Sequence, residues 1–224
     1  INAGLDGSSA TFNSNVYTTN LNITGTGTVV LNSDLTGNVV TTGNQGILTT
    51  IGATQTIAGN IGSAISSLNT LNIGSNTDAT NYSTTIINGN VFVNSTVLNN
   101  NGTTNSSELI MGSGKNITST ITTADANMGI LTLAGGTQTV TGQVGDSTNK
   151  LAEVNAGNGT STFTNDVYAT NLDVEGTGTV NLDGNFTGTA IRYNADGTVI
   201  LADTKNIDSS VTTATNNTGT LTLE

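Results

Sequence analysis

The residues that could perform acid–base chemistry in this sequence are its 15 Asp and Glu side chains, because the chain has no histidine and no cysteine. Hydrolysis of a glycosidic bond needs two carboxyl groups held across the scissile bond. The closest informative pair is Asp173 and Glu175, two residues apart on one face of an expected strand. A similar segment earlier in the sequence, Phe12–Val40, has the neutral Asn22 and Thr24 at the corresponding positions. A histidine base and a Ser-His-Asp triad are both excluded.

We therefore expect no catalytic residue and no enzymatic activity. Carbohydrate-cleaving enzymes do use β-helices, so a polysaccharide-acting enzyme is the alternative. Turnover of a panel of polysaccharides would decide between the two.

Two short segments resemble parts of a calcium loop, "NADG" at Asn194–Gly197 and "NLDGN" at Asn181–Asn185. Neither continues to a bidentate Glu at the required position, and the calcium-binding nonapeptide of β-helices is absent. The segment "GTGTV" lacks the lysine and the following helix of a phosphate loop. We expect no metal and no cofactor.

The formal charge of −11 disfavours anionic partners. Binding to nucleic acid needs clustered basic residues, and an anionic membrane surface would be repelled. No run of 18 apolar residues is present, so no helix is expected to span a bilayer. Twelve of the acids follow residue 107, together with the four bases Lys115, Lys150, Arg192 and Lys205.

One phrase of the sequence is written three times. Phe12–Val40 aligns without a gap to Phe163–Ile191, with 14 identities in 29 positions. A weaker middle copy places Ile87 and Phe92 where the first copy has Phe12 and Tyr17. The copies thus begin at positions 12, 87 and 163, which indicates a degenerate tandem array.

Two further phrases recur with different spacing. "GILTTIGATQTIAGNIG" from Gly46 resembles "GILTLAGGTQTVTGQVG" from Gly129, and the phrase from Lys115 resembles that from Lys205. The chain begins at "INAG" and ends at "GTLTLE", both within a phrase. We expect residues 1–224 to be a single β-helical repeat segment of a longer protein.

Apolar residues alternate with polar ones within each phrase, as at Leu21 and Ile23 or Leu131 and Leu133. This alternation is typical of half-buried strands, and Gly-Asn or Asn-Gly dipeptides that tolerate positive φ separate them. The absence of proline leaves every backbone N–H free for a ladder. We predict an all-β fold, an elongated parallel β-helix (β-solenoid), in which equivalent residues of successive copies stack in the core.

That stacking implies roles for the repeated aromatic and asparagine residues. Repeated aromatics are expected in the core or at corners, and repeated asparagines in turns or ladders. The residues concerned are Phe12, Phe163, Tyr17, Tyr168, Asn20 and Asn171.

The phrases "GILTLAGGTQTVTGQVG", "DVYATNLDVEGTGTVNLDGNFTG" and "GTLTLE" resemble the passenger regions of rickettsial surface cell antigens, the autotransporters of outer membrane protein A and B type. The resemblance covers most of the chain. It implies a passenger displayed on the bacterial cell surface, outside the outer membrane, that contributes to host-cell attachment and invasion. It also implies that contact with the outer membrane is made only by a C-terminal barrel absent from this sequence. The expected partner is a host-cell surface protein.

A run of ten residues without an apolar side chain separates the middle phrase from the next expected strand. Such a run is expected to leave the column as a loop, and loops on rigid scaffolds often carry recognition. The candidate recognition loop consists of Asn99, Asn100, Asn101, Gly102, Thr103, Thr104, Asn105, Ser106, Ser107 and Glu108.

Thr-x-Thr pairs open one more alternative, an ice-binding solenoid. Such a site needs its pairs in register on one flat face, whereas these pairs occur at irregular intervals. They are Thr26–Thr28, Thr54–Thr56, Thr137–Thr139 and Thr177–Thr179.

Overall fold

The computed structural model describes residues 1–75, 82–100, 105–216 and 218–224, and within these ranges it contains strands and no helix. Every ladder between strands is parallel, and each strand pairs with the strand two positions later in the chain. The described residues thereby form two sheets of 11 strands each, stacked in about 10 turns. The predicted all-β parallel solenoid is confirmed.

The odd-numbered strands form the first sheet. They are β1 (Asn2–Ala3), β3 (Val16–Ile23), β5 (Leu35–Thr41), β7 (Thr54–Ile57), β9 (Thr84–Ile87), β11 (Glu108–Met111), β13 (Met128–Leu133), β15 (Leu151–Ala156), β17 (Val167–Val174), β19 (Phe186–Tyr193) and β21 (Ile207–Thr213).

The even-numbered strands form the second sheet. They are β2 (Ser9–Phe12), β4 (Thr28–Leu31), β6 (Ile47–Thr50), β8 (Leu68–Ile73), β10 (Val91–Leu98), β12 (Ile117–Thr123), β14 (Gly136–Thr141), β16 (Gly159–Phe163), β18 (Thr179–Leu182), β20 (Thr198–Leu201) and β22 (Thr220–Leu223).

Three rows of inward-pointing residues run along the column, and each turn of the chain crosses them in the order A, B, C. Neighbouring turns are about 4.8 Å apart, so side chains within a row are in contact. Row A is Val29, Leu48, Leu71, Thr96, Ile121, Val144, Val167, Phe186 and Ile207. Row B is Gln55, Thr85, Leu109, Leu131, Val154, Leu172, Ile191 and Val211. Row C is Leu21, Val39, Ile61, Val91, Ile117, Val140, Phe163, Leu182, Leu201 and Leu223.

We call the sides of the column that carry rows A, B and C sides A, B and C. The three copies of the repeated phrase begin on three different sides. Phe12 lies on side A, since its strand pairs Ala10 with Val29. Ile87 lies on side B, in the same strand as Thr85, and Phe163 belongs to row C. Strand pairing leads from Phe12 through Leu31 and Thr50 to Ile73, three turns later on the same side. The chain then continues to Ile87 on the next side.

The expectation that equivalent residues of successive copies stack on one another is therefore wrong. Each copy is a strand, a corner and a second strand, and this unit fits any of the three corners. The lengths of the intervening turns decide which corner it takes. Thr28 pairs with Ile47, 19 residues later, and Thr54 pairs with Thr84, 30 residues later.

The Gly-Asn corners stack directly. The backbone N–H of Asn60 donates to Asn38 Oδ1 at 2.9 Å, that of Asn90 to Asn60 Oδ1 at 2.8 Å, and that of Asn116 to Asn90 Oδ1 at 2.9 Å. Asn20 extends this ladder by accepting from Asn38 Nδ2 at 3.3 Å, which confirms its predicted ladder role. Asn171 is also a ladder residue, within β17 opposite Glu153 and Ala190.

Glycine is required at two of these corners for space, not for positive φ. A Cβ on Gly59 would lie 2.3 Å from the carbonyl oxygen of Gly37, and one on Gly89 would lie 2.2 Å from that of Gly59. Neither glycine has a positive φ. The expected reason for these glycines is thus replaced by the close approach of successive backbones.

The aromatic residues of the phrases are divided between interior and surface. Phe163 is buried, and Phe12 is partly buried against the core. Tyr168 is half-buried, whereas Tyr17 is 74% exposed. Tyr17 lies at a corner and not in the core, because its side chain points outward next to the inward Val16.

Candidate functional site

The candidate recognition loop is anchored inside the column at both ends. Asn99, Asn100 and Ser107 are buried, so the expectation that the whole run leaves the column is wrong for these residues. Glu108 is the first residue of β11 and accepts a hydrogen bond from Thr132 Oγ1 at 2.7 Å. Asn105 is exposed and Ser106 is half-buried. The remaining members, Asn101, Gly102, Thr103 and Thr104, lie outside the described residues.

Hydrogen bonds explain how polar side chains can line this part of the core. The Ser107 backbone N–H donates to Asn100 Oδ1, and its hydroxyl donates to the Asn99 carbonyl oxygen. Asn100 Nδ2 donates to Thr123 Oγ1 at 3.0 Å, and Asn99 Nδ2 to the Gly74 carbonyl oxygen at 3.3 Å. A buried polar group is tolerated when it has such partners. The two ends of the loop are therefore fixed to the turns before and after it.

A shallow hollow of about 260 Å³ lies beside these anchors on side A. Val30 and Ile51 contribute apolar surface, while Thr49, Asn72 and Asn99 contribute polar atoms. Asn72 Nδ2 donates to Thr49 Oγ1 at 3.3 Å, which fixes the two side chains across neighbouring turns. The hollow is small and uncharged.

Asp173 and Glu175 do not form a catalytic carboxylate pair. Asp173 is buried, and Arg192 holds both of its carboxylate oxygens. The same guanidinium donates to Glu153 at 3.0 Å, and its hydrogen bonds to Asp173 raise the pKa of Arg192. Glu175 lies beyond the end of β17 and accepts from Asn194 Nδ2 at 2.6 Å. This arrangement ties three successive turns together and leaves the two carboxylates with separate partners.

The two segments that resemble calcium loops have other roles here. In "NADG", Asp196 Oδ1 accepts from the backbone N–H of Gly219 at 3.0 Å, so this carboxylate links a corner to the next turn. In "NLDGN", the backbone N–H of Asp183 donates to Phe163. Among the residues that the structure describes, no three His, Cys, Asp or Glu side chains are grouped to hold a metal ion.

Threonine side chains form a regular array that the sequence did not reveal. Strands β14, β16, β18, β20 and β22 lie side by side on side C, and the outward positions of each strand are two residues apart. We call this array the threonine face. One column consists of Thr137, Thr160, Thr179, Thr198 and Thr220, and the other of Thr139, Thr162, Asn181, Ile200 and Thr222.

The Thr-x-Thr pairs chosen from the sequence are only partly members of this face. Thr28 lies on side A, and the pair Thr54–Thr56 lies on side B. The pair Thr137–Thr139 and Thr179 belong to the threonine face. Two rows of the array read Thr-Val-Asn and Thr-Val-Ile in sequence, and the further Thr-x-Thr pairs Thr160–Thr162 and Thr220–Thr222 become aligned with Thr137–Thr139 only through strand pairing.

The chain matches no protein-family model, no curated protein and no solved structure. No helix in the described part of the chain is long and apolar enough to cross a membrane.

Proposed function

We propose that this chain is a structural and adhesive segment of a bacterial autotransporter passenger. It is displayed outside the outer membrane and contributes to attachment to host cells and their invasion. The proposal is supported by the uninterrupted row C, which runs from Leu21 to Leu223 and makes the chain one continuous column. Such a column suits a stalk that presents side chains and loops at a distance from a surface. The partner proposed for it is a host-cell surface protein.

The candidate recognition loop is the part of this stalk best placed to bind a partner. Its two ends are held by buried hydrogen bonds, which lowers the entropy lost when the loop binds a partner. It also adjoins the hollow on side A. Its anchors Asn99, Asn100 and Ser107 are buried, so they can be retained in an experiment that replaces residues between them.

The test replaces Asn101–Asn105 with a Gly-Ser linker of equal length and retains the three buried anchors. The matched control replaces Ser147 and Thr148, which are exposed in another loop. We expect the first variant to reduce adhesion of the purified protein to host cells by about tenfold, equivalent to about 1.4 kcal/mol, and the control to retain it. Equal adhesion by all three proteins would contradict the role of the loop, and absence of adhesion by the unmodified protein would contradict the adhesive function.

The threonine face supports a second candidate function, binding to ice. The face carries no ionisable side chain at its ten array positions and repeats every turn at about 4.8 Å. A ligand that is itself an uncharged lattice suits such an array. Thermal hysteresis of the purified protein, lost in Thr160→Tyr and kept in Thr54→Tyr on side B, would support this function. Absence of hysteresis in the unmodified protein would contradict it.

A further inference from the structure

Each copy of the repeated phrase places one aromatic side chain on the outside of the column, directly after an inward valine. The residues are Tyr17, Phe92 and Tyr168, within the segments "NVY", "NVF" and "DVY". The preceding valines, Val16, Val91 and Val167, are buried. The three aromatics consequently point outward on sides B, C and A, one on each side of the column.

The same types of neighbour surround each aromatic. Strand pairing places a threonine of the next turn beside every ring: Thr36 beside Tyr17, Thr118 beside Phe92 and Thr187 beside Tyr168. An Asn or Asp lies two residues before each aromatic. We call these groups the aromatic corner sites; their members are Asn15, Tyr17 and Thr36, then Asn90, Phe92 and Thr118, then Asp166, Tyr168 and Thr187.

The Asn or Asp member of each site is held in place by hydrogen bonds at its corner. Asn15 Nδ2 lies 3.4 Å from the hydroxyl of Tyr17, to which it donates. Asn90 Oδ1 accepts from the backbone N–H of Asn116 at 2.9 Å, and Asp166 Oδ1 accepts from Asn185 Nδ2 at 3.0 Å. Ser33 Oγ donates to Asn15 Oδ1, so each site combines one ring with an Asn or Asp side chain that is held by the turn above.

The site at Tyr17 is the most open. Its ring is 74% exposed and borders a concavity of about 350 Å³ that Asn13, Ser14 and Asn15 also line. Phe92 and Tyr168 are half-buried. A large exposed aromatic ring contributes little to folding, whereas it supplies rigid, amphipathic contact area to a ligand.

The chemistry of these sites fits a sugar. A pyranose ring has an apolar face of C–H groups that packs on an aromatic ring, and its hydroxyls exchange hydrogen bonds with amide, carboxylate and threonine groups. The net charge of −11 disfavours sulfated or other anionic glycans. We propose that the aromatic corner sites bind uncharged sugar residues of a glycan.

The spacing of the sites makes binding multivalent. Three turns and one side separate successive sites, so they are about 16 Å apart along the axis at about 4.8 Å per turn. They also face three directions. A clustered or branched glycan that reaches two sites would bind more tightly than one that reaches a single site. This inference rests on the proposed adhesive function only in that the glycan would belong to the host-cell surface.

The test is binding of the purified protein to a panel of immobilised neutral oligosaccharides and sulfated glycans. We expect binding to one or more neutral oligosaccharides and none to heparin at physiological salt. In Tyr17→Ala, removal of the exposed ring should weaken binding about tenfold, and Tyr17→Ala combined with Tyr168→Ala should weaken it further, because multivalency is lost. Tyr82→Ala is the matched control, since Tyr82 is an exposed tyrosine outside the three sites.

Folding and function are separated by additional measurements. Far-UV circular dichroism and thermal unfolding are recorded for each variant, and Tyr168→Leu replaces Tyr168→Ala if the latter fails to fold. Failure of the unmodified protein to bind any neutral oligosaccharide would overturn the proposal, as would an equal loss in Tyr82→Ala and Tyr17→Ala. Cell adhesion without glycan binding would overturn the sugar sites and leave the adhesive function intact; loss of both would overturn both.

Discussion

The interior of the column differs between two regions, which we call the central turns (residues 50–123) and the later turns (residues 131–201). The interior of the central turns is rich in polar side chains: Thr50, Gln55, Ser83, Thr85, Thr96, Asn99, Asn100, Ser107, Ser119 and Thr123 are buried there. In the later turns the buried polar residues are Gln138, Ser161 and Asp173. The same solenoid is thus built around two kinds of core.

Hydrogen bonds between turns replace apolar contacts in the central region. Thr50 Oγ1 lies 2.7 Å from Thr85 Oγ1 of the next turn, and Ser83 Oγ, in the same turn as Thr85, lies 3.2 Å from that same atom. Thr96 Oγ1 and Ser119 Oγ are 2.9 Å apart. Each such bond contributes about 0.5–1.5 kcal/mol net, less than a fully buried leucine contributes.

The polar core coincides with the longest turn and with the candidate recognition loop. Thr54 and its ladder partner Thr84 are 30 residues apart, and the buried Asn99 and Ser107 fix the two ends of the loop. Because each buried polar group needs a particular partner, these groups fix the points at which the chain leaves and re-enters the column. The comparison teaches that the later turns supply stability while the central turns supply attachment points for loops.

The largest effect should follow from truncating a core residue of the later turns. Leu172→Ala removes a fully buried side chain between Val154 and Ile191 and should lower the free energy of unfolding by about 2–5 kcal/mol. Thr85→Ala, at the equivalent row in the central turns, should cost about 1–2 kcal/mol. Urea unfolding followed by circular dichroism measures both. A larger loss for Thr85→Ala would reverse the assigned roles of the two regions.

The corners should be equally intolerant in both regions. A Cβ at Gly89 in the central turns would lie 2.2 Å from the carbonyl oxygen of Gly59, and one at Gly178 in the later turns 2.1 Å from that of Gly159. Gly89→Ala and Gly178→Ala should each cost about 1–3 kcal/mol because the backbones must separate. Thermal unfolding of the two variants tests this. A cost at one corner only would show that the regions differ in backbone packing as well as in core chemistry.

Two glutamines at the same position of a repeated phrase provide a matched pair. Gln138 accepts from the Gly135 N–H at 2.8 Å and donates to the carbonyl oxygens of Gly112 and Lys115, each at 3.1 Å. Gln55 donates to Leu31 at 2.8 Å, and its Oε1 has no partner within the described ranges.

Replacement of these glutamines by leucine should therefore have unequal effects. Gln138→Leu leaves several buried backbone groups without a partner and should cost about 1–3 kcal/mol, whereas Gln55→Leu also removes an unsatisfied oxygen and should cost less than about 1 kcal/mol. Paired urea titrations give the difference directly. Equal costs would mean that the partners of Gln138 contribute nothing to stability.

A pH-dependent effect concerns Tyr193 in the later turns. Its hydroxyl donates to the Thr220 carbonyl oxygen at 2.7 Å, and burial raises its pKa from the ordinary 10.0 to about 12. Because the folded state holds the proton more tightly than the unfolded state, this stabilisation is fully present below pH 10 and is lost as the pH rises through 12.

Tyr193→Phe should cost about 1 kcal/mol at neutral pH, through the lost hydrogen bond. It should also flatten the fall in stability above pH 10. Unfolding free energies measured from pH 7 to 11 for both proteins test this. An identical alkaline slope in the variant would assign that fall to other groups.

Much of this architecture was predictable because it depends on local pattern. The alternation at Leu131 and Leu133 predicts an inward-facing strand wherever the phrase falls, and both residues are buried. The ladder role of Asn20 followed equally from its repeated position beside a corner. The position of Tyr17 could not be predicted in this way, because an aromatic residue at a corner can point to either face of its strand.

The candidate recognition loop shows the limit of composition as a guide to burial. Ten residues without an apolar side chain predicted a loop outside the column, yet Asn99, Asn100 and Ser107 are buried. Their partners, Gly74 and Thr123, come from turns on either side and are about 25 residues away in sequence. Burial of a polar residue depends on such distant partners.

The sequence by itself determined that the chain forms short parallel strands with repeated corners, because apolar alternation, glycine spacing and the absence of proline act within a few residues. Only the tertiary structure decided on which side of the column each phrase lies. Phe12, Ile87 and Phe163 are separated by three full turns and one further side, and that rotation is the sum of the lengths of the intervening turns. The threonine face and the aromatic corner sites depend on the same sum, since residues 19 to 30 positions apart become neighbours only when the turns stack.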